Sequence, residues 1–476
     1  MQQCFIGIDV GTQGVRASLV TETGEVLGEA SRKFTLTSDS RMEQSPADWW
    51  HSTLEVMDEL HVGRAHGDAY QVVAVGVDST SGTVIPLDRA NRPLHSAIMY
   101  SDPRSAEVGR RVKALAERHV PAGYTGFNAS SGLSKMVWFV ETYPEKAAEI
   151  HKWIHASDYI TGMLCGRFDV TDYTNALKSG YDVAAFRWPE YLTAELPLQR
   201  EWLQEVVPSG TPIGHLHEEL AVRWGMPQAQ VVAGMTDGCA SQVASGAVRP
   251  GEWNTTIGTT LVIKGVTNEA VHDPEGRLYS HRHPDGYWMP GGASNTGADW
   301  VATDFGTDLQ QLDKAAAGLI PTGLLAWPLK QTGERFPFIA PDAKGFMPAG
   351  VSLAQGFAAG MEGVAFIERM AYELITQLSG ERIAAVYTAG GGSNSDTWLR
   401  IRANVLGCPI YKCRDANGAV GAAIGAASKT RFNSMADAAQ SMTAIEREVL
   451  PEAAMVDRYE LAYGRFVDEM KKRKYC

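Results

Sequence analysis

The chain has 476 residues, of which 44% are hydrophobic and 21% are charged, and its formal net charge is −12 with a sequence pI near 5.5. This length favours two domains or a few, each with a core of its own. The acidity, without any Lys/Arg-rich run, argues against a nucleic-acid partner and against an anionic membrane surface.

The first half of the sequence predicts strands that alternate with helices. Short apolar runs predict strands at 5–8, 15–20, 26–34 and 72–77. A turn at Thr23-Gly24 makes the start antiparallel, and a helix is predicted to open at Pro46, because proline and an acid stand in its first turn. Alternating strands and helices predict an α/β domain.

A turn-rich segment at 246–251 divides the chain, and a second domain is predicted to begin there. After it, the strand, Gly/Thr turn and strand of the amino terminus return at 253–265. The later elements predicted are helices at 353–378, 395–406 and 416–429 and strands at 385–388 and 409–412. We therefore predict domains at 1–247 and 248–476, both of α/β type.

The six cysteines are scattered and form no C-x-x-C pair, so neither a disulfide framework nor a zinc site is expected. The amino terminus shows no signal peptide, and no apolar stretch is long enough to span a bilayer. These features predict a soluble protein of the cytoplasm that does not bind a membrane.

A Gly/Thr turn follows the first strand of each predicted domain, at Asp9-Val-Gly-Thr-Gln-Gly14 and at Ile257-Gly-Thr-Thr260. Small residues in such turns let backbone N–H groups approach phosphate oxygens, although each turn alone also fits an ordinary hairpin. Asp9, at a strand end, either caps its turn or binds Mg²⁺ through water.

Two further segments favour nucleotide chemistry. Ala389-Gly-Gly-Gly-Ser-Asn394 lies between a strand and a helix, where glycines allow a base and ribose to rest against the backbone or simply form a flexible turn. Asp237 follows an apolar strand and precedes a small-residue helix. A carboxylate there stays anionic and suits a base that orients an alcohol, although a helix N-cap is the plain alternative.

Gly418, Gly421 and Gly425 predict a close-packed helix face.

Taken together, these motifs resemble the FGGY carbohydrate kinases, a family of the actin/hexokinase/Hsp70 superfamily, in collinear order over almost the whole chain. The segments that carry the resemblance are Gly7-Ile-Asp9-Val-Gly-Thr-Gln-Gly14, Glu43-Gln44-Ser-Pro46 with Trp49-Trp50, Tyr100-Ser-Asp102-Pro-Arg104, Gly234-Met-Thr-Asp237-Gly238, Ile257-Gly-Thr-Thr260 and Thr388-Ala-Gly-Gly-Gly-Ser-Asn394. The stretch around Ser134-Lys135 is similar to a family signature, but Gly132 stands where Pro, Ser or Thr is usual.

The resemblance implies two actin-like (ribonuclease H-like) ATPase lobes around a central cleft, with ATP and Mg²⁺ as cofactors. It implies that Asp9 binds Mg²⁺ and substrate and that Asp237 is the catalytic base. The residues implied for phosphate binding are Gly11, Thr12, Gln13, Gly14, Gly258, Thr259 and Thr260, and those for adenosine are Gly390, Gly391, Gly392 and Asn394.

For the sugar we predict contacts from Thr80, Ser81, Asp102 and Asp237, because short polar side chains and carboxylates satisfy several hydroxyls at once. A Ser/Thr turn is the alternative at Thr80 and Ser81. The segments 78–84, 258–264, 279–282 and 291–297 resemble plant and cyanobacterial D-ribulose kinases.

The predicted reaction converts D-ribulose and ATP to D-ribulose 5-phosphate and ADP. D-xylulose is the first alternative substrate, followed by polyols such as ribitol and glycerol. From a different class, an actin- or chaperone-like ATPase would share the nucleotide motifs but would not need Asp102 and Asp237 in a polar sugar pocket. P-loop and dinucleotide-binding motifs do not occur in the sequence. A homodimer stays open.

Overall fold

A computed structural model describes residues 2–60, 70–121, 123–306 and 308–476. The chain forms two units, the first made of Met1–Gly246, His281–Tyr287 and Asp415–Thr443, and the second of Ala247–Ser280, Trp288–Arg414 and Ala444–Cys476. The predicted boundary at 247/248 lies beside the observed division after Gly246, but two segments predicted in the second domain belong to the first unit. The reason is tertiary packing that local sequence does not show.

The first unit contains strands and helices in alternation. Its strands are β1 (Gln2–Val10), β2 (Gly14–Thr21), β3 (Val26–Lys33), β4 (Glu43–Gln44), β5 (Tyr70–Ser79), β6 (Val84–Leu87), β7 (Ala97–Ile98), β8 (Lys152–His155), β9 (Val170–Asp172), β10 (Glu205–Val207), β11 (Pro212–His215), β12 (Gln230–Val232) and β13 (Met235–Thr236). Its helices are α1 (Pro46–Glu59), α2 (Ala106–His119), α3 (Gly132–Thr142), α4 (Pro144–Ala147), α5 (Ala156–Cys165), α6 (Tyr173–Ala176), α7 (Tyr191–Ala194), α8 (Glu218–Trp224) and α9 (Asp237–Ala244).

The rest of the chain continues the same pattern. The strands are β14 (Glu252–Ile257), β15 (Leu261–Gly265), β16 (Leu278–Arg282), β17 (Trp288–Ser294), β18 (Ala385–Ala389), β19 (Ile410–Cys413) and β20 (Ile445–Val449). The helices are α10 (Asp299–Phe305), α11 (Leu309–Ala317), α12 (Leu353–Ser379), α13 (Asp396–Leu406), α14 (Gly418–Ala427), α15 (Met435–Met442) and α16 (Ala453–Lys472). Both α14 and α15 lie in the first unit. Among the described residues, no helix is both long and apolar enough to cross a bilayer.

The main sheet of the first unit places three strand ends side by side. Its strand order is β11-β12-β5-β1-β2-β3, and β13 also pairs with β5. Strands β1 and β5 run parallel with Asp9 opposite Asp78, and β13 runs parallel to β5 with Thr236 opposite Ser79. Because all three strands point the same way, their carboxyl ends meet at one edge, where open α/β sheets bind ligands.

Helix α14 packs against this sheet through glycines, as the sequence predicted. A Cβ atom built on Gly7 of β1 would stand 1.7 Å from the carbonyl oxygen of Ala419, and one on Gly421 would stand 2.0 Å from that of Ala240 in α9. Side chains at these positions would push the helix off the sheet and off α9. This contact is what makes α14 part of the first unit.

A second, four-stranded sheet in the order β4-β7-β6-β8 carries the loops predicted to contact sugar. The side chain of Gln44 in β4 links it to the first Gly/Thr turn, since its Nε2 donates to the carbonyl oxygen of Thr12 at 3.0 Å. The indole of Trp49 donates to Gln44 Oε1 at 2.9 Å and fixes that side chain. The Glu43-to-Trp50 motif therefore supports the turn.

The second unit contains a seven-stranded sheet in the order β16-β17-β15-β14-β18-β19-β20, except that the last two residues of β16 are assigned to the first unit. Strands β14 and β15 form an antiparallel hairpin around Gly258-Thr-Thr260, and β18 runs parallel to β14. The predicted repeat of the amino-terminal strand, turn and strand is thus present. Both units are mixed α/β structures, as predicted.

We expect Gly421→Ala to lower the free energy of unfolding by about 1–3 kcal/mol, because the added methyl group overpacks the contact between α14 and α9. Gly464→Ala is the matched control, since this exposed helical glycine in α16 has no atom within 4 Å of its built Cβ. There alanine should stabilise by roughly 0.5–1 kcal/mol. Urea unfolding of both variants checks this, and equal stabilisation by both would disprove the close packing.

Candidate active site

Three carboxyl groups meet where β1, β5 and β13 end. Asp9 and Asp78 are register partners on β1 and β5. Asp237 is the first residue of α9 and directly follows β13. Asp9 and Asp237 are half-buried, whereas Asp78 is completely buried. The sheet thus brings together the predicted base, the predicted Mg²⁺ ligand and a third acid.

Asp78 is the acid to which the sequence analysis assigned no role. Burial raises the pKa of Asp78 well above its usual value, and the negative charges of Asp9 and Asp237 raise it further. Burial also raises the pKa of Asp9, but its contact with Asp78 acts in the opposite direction. Because Asp78 is the more deeply buried of the two, the site favours the protonated form of Asp78 more strongly than that of Asp9. An apolar run that ends in Asp, as at Asp9, was the available sequence signal.

The amino end of α14 lies directly over this pair. A Cβ built on Gly418 would stand 3.0 Å from Asp9 Oδ2 and 3.2 Å from Asp78 Oδ1. Glycine at this position lets the positive end of the helix approach the carboxyl groups, which favours the charge on Asp9.

The first Gly/Thr turn has one open position and one that the fold requires. A Cβ on Gly11 would meet no atom closer than 3.7 Å, whereas one on Gly14 would lie 2.2 Å from the carbonyl oxygen of Arg32. The carbonyl of Gln13 accepts from Phe34 N at 2.9 Å, and that of Thr12 is held by Gln44. A Cβ at Gly11 would thus make only ordinary van der Waals contacts, whereas glycine at position 14 is required for the pairing of β2 with β3.

Asp237 is not the N-cap of its helix. Thr236 occupies that position with extended backbone angles, and Asp237 stands in the first helical turn. Its Oδ1 accepts a hydrogen bond from Gly238 N at 2.7 Å. The built Cβ of the next residue, Gly238, has no atom of the described residues within 4 Å.

Thr80 and Ser81 lie in a turn between β5 and β6. The hydroxyl groups of Thr80 and Thr83 are hydrogen-bonded to each other at 2.9 Å, and Thr83 Oγ1 also accepts from Tyr100 N at 3.2 Å. Ser81 Oγ is buried and has no hydrogen-bond partner in the part of the chain that the structure describes. A buried hydroxyl without a partner is costly, so a ligand hydroxyl at this position would satisfy it.

Asp102, the third predicted sugar contact, is held in an ion pair. Arg104 donates to both of its oxygens, with Nη2 to Oδ2 at 2.7 Å and Nε to Oδ1 at 3.0 Å. The same guanidinium binds Glu43 at 2.6 Å and lies over the ring of Trp138 at 4.6 Å. Asp102 therefore orients this loop, and any sugar contact from it would be shared with Arg104.

Lys135 is a buried cation beneath the same loops. Its Nζ donates to the carbonyl oxygens of Ala129 and Tyr100, the latter at 3.4 Å. Burial lowers the pKa of Lys135 to about 7, with Asp102 opposing the shift and Lys178 adding to it. The lysine joins the loop that contains Asp102 to the segment that precedes α3, a role the sequence did not reveal.

The second unit contains the other predicted turn. Gly258 N donates to the carbonyl of Thr260 at 3.0 Å, and Gly258 O accepts from Ala298 N at 2.8 Å. A Cβ on Gly258 would meet nothing closer than Thr260 O at 4.0 Å, whereas one on Gly297 would lie 2.3 Å from Thr259 O. The turn therefore packs closely against Gly297, whereas there is room for a Cβ atom at position 258.

The glycine segment at 389–394 borders the same turn within the second unit. Gly390 has φ +81° and its built Cβ would lie 2.5 Å from Ile257 O, and Gly392 packs on the side chain of Ile257. Gly391 has open space, and Asn394 Oδ1 accepts from Lys412 Nζ at 3.1 Å. Gly390 and Gly392 are required for packing, so Gly391 is the position that a ligand can approach.

The donor set determines which metal the first unit can hold. Among the described residues no group of three or more His, Cys, Asp or Glu side chains could hold a metal ion. A single carboxylate such as Asp9, together with phosphate and water, is a usual environment for Mg²⁺. The residues present therefore fit Mg²⁺ bound together with a nucleotide.

Comparison with known proteins gives matches over most of the chain. The sequence profile of the FGGY family of carbohydrate kinases matches with its N-terminal domain at residues 4–244 and with its C-terminal domain at residues 253–430. The "Xylulose kinase" of Escherichia coli (strain K12) is 29% identical over 89% of this chain and 88% of its own. The "Gluconokinase" of Bacillus licheniformis is 28% identical over 85% and 83%.

A solved structure described as xylulose kinase from Rhodospirillum rubrum covers 98% of both chains, with a TM-score of 0.86 and 26% identity. The resemblance drawn from the motifs is thereby confirmed, and so is the two-domain actin-like fold.

Gly258→Val should raise the KM for ATP at least tenfold while leaving the protein folded, because the branched side chain fills space open to a phosphate without touching its own unit. Gly318→Val is the control, since its built Cβ meets no atom of the described residues within 4 Å. Steady-state kinetics with varied ATP measure both, and an unchanged KM in Gly258→Val would show that this segment is only a turn.

Proposed function

Because this chain belongs to the FGGY family of carbohydrate kinases, we propose that it moves the γ-phosphoryl group of MgATP to the terminal hydroxyl of a ketopentose, with Asp237 as the base. The chain is a sugar phosphotransferase, and sugar kinases of this family use ATP. The observation that supports Asp237 is its position at the strand edge beside Asp9 and Asp78, with open space over Gly238.

Phosphoryl transfer depends mostly on positioning and charge neutralisation. Asp237 would accept the proton of the sugar hydroxyl as that oxygen attacks. Its place in the first turn of α9 favours the anionic form that a base requires.

Asp9 is the residue proposed to hold Mg²⁺, which when bound neutralises charge on the phosphate oxygens. Burial favours the protonated form of Asp78, and the amino end of α14 favours a negative charge on Asp9. Backbone N–H groups near Gly11 and Gly258 would bind phosphate oxygens, and the segment from Gly390 to Asn394 would bind adenosine.

For the sugar we propose D-xylulose ahead of D-ribulose. The sequence alone favoured D-ribulose, but several relatives are named xylulose kinase, which favours the alternative. The support for a polyhydroxy ligand is the unpartnered hydroxyl of Ser81 beside Thr80. Gluconate is a second candidate, because two relatives are named gluconokinase.

The cytoplasmic location and the homodimer remain predictions. Among the described residues none of the six cysteines forms a disulfide, which fits a reducing compartment.

Asp237→Asn should lower kcat by about two to four orders of magnitude and leave the KM for ATP nearly unchanged, because asparagine keeps the shape but cannot accept the proton. Asp457→Asn on the exposed face of α16 is the matched control and should match the wild type. Steady-state kinetics with a coupled ADP assay decide this, and wild-type turnover in Asp237→Asn would reject the base.

We expect kcat/KM for D-xylulose to exceed that for D-ribulose. The two sugars differ only at C3, so discrimination must come from hydrogen bonds, and each one lost costs roughly ten- to a hundredfold. A panel of both ketopentoses, ribitol, glycerol and gluconate on one preparation measures the preference. A preference for D-ribulose would restore the sequence-based expectation, and a preference for gluconate or a polyol would reject the ketopentose assignment.

A further inference from the structure

We propose that Asp172, at the end of β9, is a positioning residue that fixes the catalytic base through Thr174. The proposal rests on Asp237 being that base. The first observation is that β13, which carries Asp237 at its end, is only the two residues Met235–Thr236. So short a strand offers few backbone hydrogen bonds, and its position has to be set by other contacts.

Asp172 is a completely buried carboxylate surrounded by donors. A buried charge is tolerated when hydrogen bonds satisfy its oxygens. The bonds it accepts come from Thr174 N at 2.7 Å, Thr174 Oγ1 at 2.6 Å, Ser209 Oγ at 2.7 Å, Asn175 N at 3.3 Å and Asn175 Nδ2 at 2.6 Å. These hydrogen bonds satisfy both oxygens of the carboxylate, so Asp172 does not require a ligand. Asp172 therefore supports the structure and does not itself react.

The directions of the hydrogen bonds at Thr174 connect Asp172 to the backbone of Thr236. Because Asp172 Oδ2 can only accept, the hydroxyl proton of Thr174 points to it. The lone pairs of Thr174 Oγ1 are thereby left to accept from Thr236 N, which donates at 2.9 Å. Thr236 is the N-cap of α9, and Asp237 is the next residue. The carboxylate thus orients the hydroxyl, and the hydroxyl holds the backbone that carries the base.

A second branch of the same network reaches the predicted sugar turn. Asn175 Nδ2 donates both to Asp172 and to Ser157 Oγ, the latter at 3.1 Å. Ser157 N in turn donates to Ser79 Oγ at 2.9 Å. Ser79 directly precedes Thr80 and is the register partner of Thr236. One buried carboxylate is therefore connected to the backbone on both sides of the proposed reaction, at the base and at the sugar turn.

We call the hydrogen bonds from Asp172 through Thr174 to Thr236 the relay. The pair Thr174→Ser and Thr174→Ala tests the relay, because the two variants differ by one hydroxyl oxygen. The serine variant should keep kcat within about threefold of wild type, whereas alanine should lower kcat about ten- to a hundredfold, the range expected when a reacting group is misplaced. The KM for ATP should change less than about twofold in both, since the phosphate turns lie elsewhere. Steady-state kinetics and thermal unfolding are measured on each protein.

Thr53→Ala is the matched control, because Thr53 is also buried and its hydroxyl donates to the carbonyl of Trp49 in its own helix. It should lower the melting temperature without lowering kcat. If the alanine variant of Thr174 does not fold, Thr174→Val, which keeps the shape, replaces it. Equal kcat in the serine variant and in its hydroxyl-free counterpart would overturn the proposal, and so would failure of both hydroxyl-free variants to fold.

Asp237→Asn, measured in parallel, separates this proposal from the assignment of the base. If Asp237→Asn lowers kcat and Thr174→Ala does not, the relay is rejected and Asp237 remains the proposed base. If Asp237→Asn keeps the wild-type kcat and Thr174→Ala lowers it, Asp237 is rejected as the base. The relay as proposed is then rejected with it.

Discussion

The burial of Asp78 between Asp9 and the end of α14 is the constraint on which the first unit depends. Carboxyl groups brought together at one sheet edge cannot all stay ionised when one of them is wholly buried. Burial and the two neighbouring negative charges favour the protonated form of Asp78, whereas Asp9 and Asp237 lie on the less buried side of the cluster. The arrangement also requires glycine at 418 and 421, because the helix above the cluster approaches carboxyl oxygens and the backbone of α9.

In the second unit, a buried ion pair supports the strands that lead into the proposed ligand loops. Arg402 and Glu368 are both fully buried and bonded through two nitrogens at 2.7 Å, and Arg402 Nη1 also donates to Thr388 Oγ1 at 2.6 Å. Thr388 Oγ1 donates to Thr255 O at 3.0 Å and so connects β18 to β14. A polar network thus fixes the strands that lead into Gly258 and Gly390, much as the Asp172 network fixes the strand that leads into Asp237. In each unit the loops proposed for ligands are short, and buried polar side chains donate to or accept from the strands that lead into them.

The sequence predicted what local patterns determine. Strands, the Gly/Thr turns and the helices at 353–378 and 395–406 follow from periodicity and turn residues, and the motifs were sufficient to identify the family. It could not assign α14 to the first unit, because that depends on glycine contacts across the fold. The raised pKa of Asp78, the burial of Lys135 and the pairing of Asp102 with Arg104 also arise only when distant segments meet. Sugar preference depends on a few hydroxyl contacts, which is why motif resemblance and the named relatives favour different ketopentoses.

The central claim is that the strand edge with Asp9, Asp78 and Asp237 directs phosphoryl transfer to a sugar hydroxyl and not to water. Phosphorus-31 NMR of the wild-type protein with MgATP and D-xylulose tests it most directly, because phosphate esters and inorganic phosphate give separate signals. The account predicts a sugar phosphate ester formed in step with ADP, with little inorganic phosphate. Inorganic phosphate released at the same rate with and without sugar would contradict it and indicate an ATPase.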